Sequence, residues 1–565
     1  MMETIDIKQN LPCWVWAILC LIPLLSPLQS KGQGRTIERT YISTDRPYYA
    51  AGDRVYVSAF CLTPEKEFSS FSAITYLELY SSDGHSVNGK VALQQGRGAG
   101  YLDLSSDLPT GNYRLIAYTA VNHNESGYDY SAHSKIISIY NTSSSSRVGG
   151  GVTVSSGKPE SNVSSPESGL LSVSMGENEE GSLMIFLESG TNASVSVSVF
   201  HDEDLPEYDK SSIGTMTGSY TLPTGFSDNA VPEYDGEIIK VKIEPSGPIS
   251  ELIGKDIFIA TPGSTSDIYA AQCDEDGTAS FFTTDIFGKK DMAIEIKEYD
   301  KPFSFSIESP FKGKGSKEGI PSLEISAENE KGISRLGEAM QVASMFDADT
   351  LYEYLPTRAL PFTGKDNISY ILDDYTRFET LREVFIEYLF DINAKRDRSK
   401  GVTLSVSCND SYGRNSYFPD GESLILLDGV PVFDHNLVYG YDPALLRRID
   451  VYPYVYFLGG KVYEGMANFV TFEGNMPSFD FGPEVRIADF QGAGYPIRIT
   501  GENFPEDYPN LRETIYWNPL MELDKDNSTG IKVNLPAYTG KFRIVVEGID
   551  SEGNPIRKTG TFETE

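Results

Sequence analysis

The chain holds few residues of the types that do chemistry near neutral pH. Its five histidines are His85, His123, His133, His201 and His435, and none lies in an H-E-x-x-H word or at another paired metal spacing. Five cysteines stand at Cys13, Cys20, Cys61, Cys273 and Cys408, which is neither a metal motif nor a disulfide framework. None of them lies in a nucleophile word, and no G-x-S-x-G turn leads into a helix. Adjacent carboxylates such as Glu203-Asp204 and Asp373-Asp374 have the groups for acid–base work, yet among 81 acidic residues such neighbours arise by chance. Asp274-Glu275-Asp276-Gly277 lacks the distal glutamate of a calcium loop and reads as a hairpin turn. Lys312 to Gly319 (KGKGSKEG) lacks phosphate-loop spacing. His435, beside Asp434, reads as a surface loop histidine. The inventory predicts a protein that is not an enzyme and takes no cofactor, no metal and no small-molecule substrate.

A protein without reactive groups works by contact, so the elements that would present contact residues come next. Between Ser423 and Gly474 the apolar run Leu424 to Leu427 stops at the turn pair Asp428-Gly429. Leu445, Leu446 and Ile449 follow at helical spacing, Ile449 to Tyr452 alternate, and Phe469 to Phe472 close on Gly474. The predicted order is strand, turn, short helix, strand, glycine-rich loop, strand. Upstream, Asp373 to Asp397 predicts a helix: Thr376 and Glu379 form a capping box, and Phe378, Leu381, Phe385, Tyr388 and Ile392 recur at spacings of three and four. Tyr452, Tyr454, Tyr456 and Phe457 cluster nearby. With 34 tyrosines in the chain, most are read as strand formers with a wet tip.

The words LLDGVPVFD, LLRRIDVYP and GMANFVTFEG, with the helix before them, resemble the plug domain of TonB-dependent outer-membrane receptors over residues 340–475. Such a receptor closes its own barrel, which takes about 22 strands of roughly 10 residues each. Only 91 residues follow Gly474 (565 less 474). The resemblance therefore implies a plug-like α+β domain that docks on a β-barrel of another protein. The candidate docking residues are Asp428, Gly429, Val430, Pro431, Phe433, Tyr454 and Tyr456.

The rest of the chain predicts β-sandwiches. STDRPYYAAGDRVY from Ser43 and LPTGNYRLIAYT from Leu108 are short alternating strands broken by Gly, Pro and Asp, and they resemble the macroglobulin domain of alpha-macroglobulins over residues 35–141. The thioester word of that family is absent, since no cysteine precedes a glycine. Residues 142–168, rich in Ser and Gly, read as a flexible linker. In a β-sandwich region at 169–235, Ala193 to Phe200 alternates perfectly, with serines expected outward and valines inward. Residues 236–335 resemble carboxypeptidase-regulatory-like, immunoglobulin-like modules, and 476–565 predict a C-terminal sandwich. Leu535-Pro536 with Gly540-Lys541-Phe542-Arg543 echoes Leu108-Pro109 with Gly111-Asn112-Tyr113-Arg114.

A net charge of −34 argues against nucleic acid and anionic lipid as partners. Residues 1–32 read as a signal peptide, with an apolar core from Trp14 to Leu25; Cys20 lies in a poor lipobox. The combination resembles envelope proteins of the Bacteroidota. The expected fold is mainly β, several immunoglobulin-like or macroglobulin-like sandwiches plus one small α+β plug-like domain. The expected role is that of an exported, outer-membrane-associated accessory or scaffold on the cell surface or the periplasmic face. It would dock on a membrane-embedded β-barrel assembly for transport or outer-membrane protein biogenesis. The alternative is a surface protein that binds glycan or a host protein.

Overall fold

Short alternating segments build most of this molecule from strands. The structure is a computed structural model that describes residues 36–130, 134–156, 167–177, 181–208, 224–227, 229–263, 267–284, 286–311, 313, 317–346, 352–357, 367–398, 401–409, 416–482, 485–501, 509–536 and 538–564. The leader read at 1–32 lies outside them. Thr36 and Ile37 carry no strand or helix, and Glu38–Glu565 form one compact unit. Its architecture is mainly β, as expected: three sandwiches and one α+β unit.

In the N-terminal sandwich the strands run in the order Arg39–Thr44, Arg54–Leu62, Arg97–Asp103, Ser86–Gln94, Ile74–Tyr80, Gly111–Tyr118, Ser134–Tyr140 and Tyr48–Ala50. Ser86–Gln94 passes between the layers, pairing with Ile74–Tyr80 as far as Ala92 and with Gly98 and Arg97 beyond it. Tyr113, Leu115 and Ala117 enter the core with Val57, Leu77 and Ile139. Ile116 and Tyr118, on the opposite face, join Tyr76 and Tyr130 in a second cluster. The stretch read as a flexible linker is held along much of its described length. Asn141 Oδ1 accepts from the amides of Ser143 and Ser144, Val148 is buried in the sandwich core, and Val152–Val154 pairs in parallel with Leu323–Ile325. Composition alone does not reveal such pairing, because backbone donors and acceptors are the same in every sequence.

The second sandwich is assembled from both sides of the α+β unit. Ala193–His201 lies between Thr514–Leu523 and Gly540–Asp550, with Pro555–Thr564 outermost. The facing layer is Leu171–Glu177, Ser182–Ser189 and Ser528–Asn534. Residues 169–235 and 476–565, divided in the sequence reading, thus share one core. The serines of Ala193–His201 are not exposed as expected. Ser196 Oγ reaches Ser43 Oγ (3.0 Å), Ser198 Oγ donates to the Asp45 carbonyl (2.5 Å), and Ser194 Oγ donates to Glu522 (2.9 Å). A second layer, the N-terminal sandwich, covers the face that alternation assigns to water.

The third sandwich places Ile238–Pro245 between Thr278–Phe282 and Phe303–Ile307. Opposite lie Ile268–Gln272, Asp256–Ala260, Lys289–Ile296 and Val485–Gln491. Asp274 to Gly277 is a hairpin turn, with the Asp274 amide donating to the Thr278 carbonyl and Gly277 at φ +85°. The helix Glu330–Met345 spans the boundary drawn between 335 and 340. Its Leu336 packs with Tyr48, Tyr140 and Phe200 at the joint of the first two sandwiches. Cys61, Cys273 and Cys408 are buried and far apart in sequence, in separate parts of the fold.

The α+β unit has a five-stranded sheet in the order Ile368–Ile371, Leu446–Leu458, Lys461–Thr471, Leu424–Leu427, Val430–Pro431. The helix expected over Asp373 to Asp397 is only Leu381–Glu387. Its capping box is Thr380 with Glu383, not Thr376 with Glu379. Ile392–Asp397 is a strand paired with Gly401–Val406: Ile392 is buried either way, so the helical stripe and the strand fit the same residue. Where the short helix was expected, Pro443–Leu445 forms a single 3-10 turn capped by Asp442, with a further short helix before it at His435–Tyr439, and Leu446 already belongs to a strand.

Candidate docking surface

The Asp428-Gly429 turn is built for rigidity. Both residues have positive φ, +48° and +83°, as a two-residue type I′ hairpin turn between Leu427 and Val430 requires. Asp428 is fully buried. Its carboxylate accepts from the Thr471 amide (2.7 Å), the Thr471 hydroxyl (2.6 Å) and the Met476 amide (2.8 Å), and the Gly429 amide donates to Asn468 Oδ1 (3.0 Å). A carboxylate saturated this way ties the turn to the end of the neighbouring strand.

This corrects the docking reading for most of its residues. Val430 and Pro431 are buried in the sheet, and the Asp428 carbonyl accepts from the Gly263 amide of the third sandwich. Phe433 is engaged within the chain: its ring lies 5.0 Å from that of Phe258, with Lys297 Nζ 4.6 Å above it. Lys297 also donates to Glu422 (2.5 Å) and to the Tyr463 hydroxyl (3.2 Å). The turn end of the α+β unit therefore docks on this protein's own third sandwich. His435 is not a surface histidine either. It is buried, its Nδ1 accepts from the Leu404 amide (2.9 Å), and burial pushes its pKa down to about 4, which keeps the ring neutral.

The exposed face lies elsewhere on the sheet. Leu446–Leu458 and Lys461–Thr471 form a long hairpin whose register slips between Tyr452 and Val455. Pro453, without an amide hydrogen, sits in that bulge. Beyond it Val455 pairs with Glu464 and Phe457 with Val462, so Val455, Phe457 and Val462 share one face. They are 43%, 79% and 49% exposed. The opposite face packs inward through Tyr456 and the fully buried Tyr463. Of the two tyrosines read as docking residues, Tyr454 is exposed and Tyr456 is turned to the core, where burial raises its pKa.

Further apolar groups stand nearby in the fold. Tyr417 and Phe418 are exposed, and the Gly421 amide that follows them donates to Glu464 Oε2 (3.1 Å), the residue paired with Val455. Twelve of the 23 exposed large apolar side chains among the described residues lie between Ile368 and Phe472. The apolar exposure is thus concentrated in the α+β unit. Alternation around Val455 and Phe457 carried this signal, once Pro453 is taken as a bulge that resets the face.

No family model matches the chain, and no curated protein matches it. Among solved structures it is similar to trypsin-activated alpha-2-macroglobulin from Escherichia coli, at 8% identity and a TM-score of 0.23, over 93% of this chain and 41% of that one. A Salmonella alpha-2-macroglobulin mutant gives 9% identity and a TM-score of 0.23 over 96% of this chain and 40% of that one. The tetra-tandem repeat of a large adhesion protein gives 9% and 0.13 over 94% of this chain and 100% of that one. The chain spans about two fifths of the length of the alpha-2-macroglobulins. The sandwich architecture itself stands on the strand pairing.

Proposed function

We propose that this is a non-enzymatic accessory protein of the outer membrane, whose plug-like α+β unit docks on a membrane-embedded β-barrel assembly through the Val455–Phe457–Val462 face. The macroglobulin-type N-terminal sandwich and its neighbours act as a scaffold behind that unit. The observation that carries the reading is the apolar face on the outer half of the long hairpin, exposed among the described residues. Contiguous exposed apolar groups mark interaction surfaces, and covering them releases roughly 25 cal/mol for each Å² removed from water. The rigid turn at Asp428 and the contacts of Phe433 support the reading further, because they hold the hairpin in one position and cut the entropy lost on docking.

The test is purification of the tagged full chain from detergent-solubilised membranes of the organism that encodes it. Stoichiometric recovery of an outer-membrane barrel protein is expected. A monodisperse chain without a partner would contradict the proposal.

A further inference from the structure

At the joint of the N-terminal sandwich, the second sandwich and the helix Glu330–Met345 lies a cluster that the docking reading does not use. His201 ends its strand, Glu203 follows two residues on, and Glu513 directly precedes the strand Thr514–Leu523. His201 and Glu513 are only 7% and 4% exposed. His201 Nδ1 lies 2.7 Å from Glu203 Oε1 and 3.8 Å from Glu513 Oε2, and ligand atoms of the three residues lie within 4.8 Å of one another. Yet both ring nitrogens of His201 and Glu513 Oε2 are buried without a hydrogen-bond partner, and Glu203 Oε1 faces Arg335 Nε at 2.7 Å. Buried polar atoms are normally satisfied, and His201 Nδ1 and Glu513 Oε2, 3.8 Å apart, call for a shared partner.

A cation fits that requirement. On a tetrahedral ion with bonds of about 2.1 Å, donor atoms stand about 3.4 Å apart, between the two separations seen here. One imidazole and two carboxylates are a donor set for Zn²⁺, whereas Ca²⁺ and Mg²⁺ take oxygen. Arg335 supplies the supporting contact: its Nε is 2.7 Å from Glu203 Oε1 and donates to Glu513 Oε1 (3.3 Å), which orients both carboxylates and leaves Glu513 Oε2 open. The rings of Tyr538 and Phe542 wall the imidazole at 5.3 Å and 5.1 Å. Gly540 is required there, because a Cβ would fall 2.1 Å from His201 Nε2. Glu513 also lines a cavity of about 290 Å³ with Arg46, Asp53 and Thr514.

We infer that His201, Glu203 and Glu513 form a structural Zn²⁺ site that pins the end of the strand Ala193–His201 to the start of Thr514–Leu523, beside Arg335 of the helix. The probe is Zn²⁺ alone, titrated calorimetrically into the chelator-stripped full chain. One Zn²⁺ per chain is expected, with Glu203→Gln and Glu513→Gln each weakening binding at least about tenfold and Asp274→Asn, at the distant hairpin, leaving it unchanged. Absence of stoichiometric binding, or binding indifferent to Glu203→Gln and Glu513→Gln, overturns the site. Should those variants lose their circular dichroism, Co²⁺ in the wild-type chain decides. Intense visible bands of a tetrahedral site support the assignment, and the weak bands of hydrated Co²⁺ contradict it.

Discussion

At the scale of single residues the fold depends on a few buried polar anchors. Asp428 carries three hydrogen bonds on a fully buried carboxylate, so Asp428→Ala strands the Thr471 and Met476 amides and is expected to cost about 3 kcal/mol. Asp428→Asn, which tolerates positive φ and keeps one acceptor, should cost less. Urea unfolding checks both, and equal effects would show that the acceptor kept by asparagine does not replace the carboxylate. Glu233 gives a pH test. Burial raises its pKa to about 8, although the Tyr76 hydroxyl and the Ile238 amide donate to it. The folded state then keeps a proton that the unfolded state releases near 4.5, so this group's contribution to stability is lost as pH rises from about 4.5 to 8. Glu233→Gln should flatten the fall between pH 6.5 and 8. His435 acts with opposite sign: its folded pKa of about 4 lies below the ordinary 6.5, so its contribution is lost as pH falls through that window. Sequence named Asp428 and His435 as residues of interest but gave neither its role, because burial is set by partners distant in sequence, such as Met476 and Leu404.

At the scale of elements, apolar spacing identified strands well where only one layer covers them. Gly111 and Gly540, in the two words that echo one another, each open a strand whose aromatic, Tyr113 or Phe542, is fully buried. Ala193–His201 was legible as a strand, but its serine face was misassigned because a second sandwich lies on it. That interface is organised by Glu547, which Ser43 and Arg557 contact at 3.0 Å and 2.7 Å, with Lys135 at 3.7 Å. Burial alone would raise the Glu547 pKa; Lys135 and Arg557 hold it below the ordinary value. Glu547→Ala removes the buried carboxylate that Arg557 and Ser43 contact and should cost about 3 kcal/mol, measurable by chemical denaturation; a loss under 1 kcal/mol would contradict the interface described. The helix near 380 was legible only as a helix somewhere, since Thr376-x-x-Glu379 and Thr380-x-x-Glu383 are equally good capping boxes on paper. Tyr456 was misread for a similar reason, as the bulge at Pro453 resets which residues face out.

At the scale of the whole molecule, the modules are woven together. The strands at 514–564 complete the sandwich begun at 171–201, and Val485–Gln491 completes the third sandwich. Removal of residues 476–565 should therefore expose 171–201 to limited proteolysis, where independent modules would leave it resistant. Such long-range pairing is invisible to local patterning, since each strand reads the same whichever partner it finds. Among the described residues, this weave leaves the Val455–Phe457–Val462 face exposed. The direct measurement compares barrel recovery, from solubilised membranes, by the wild-type chain and by a Phe457→Asp, Val462→Asp variant, with thermal unfolding of both alongside. The account predicts that the variant loses the barrel at least tenfold while its stability stays within about 0.5 kcal/mol per substitution, as expected for exposed positions. Equal recovery by a folded variant would contradict it.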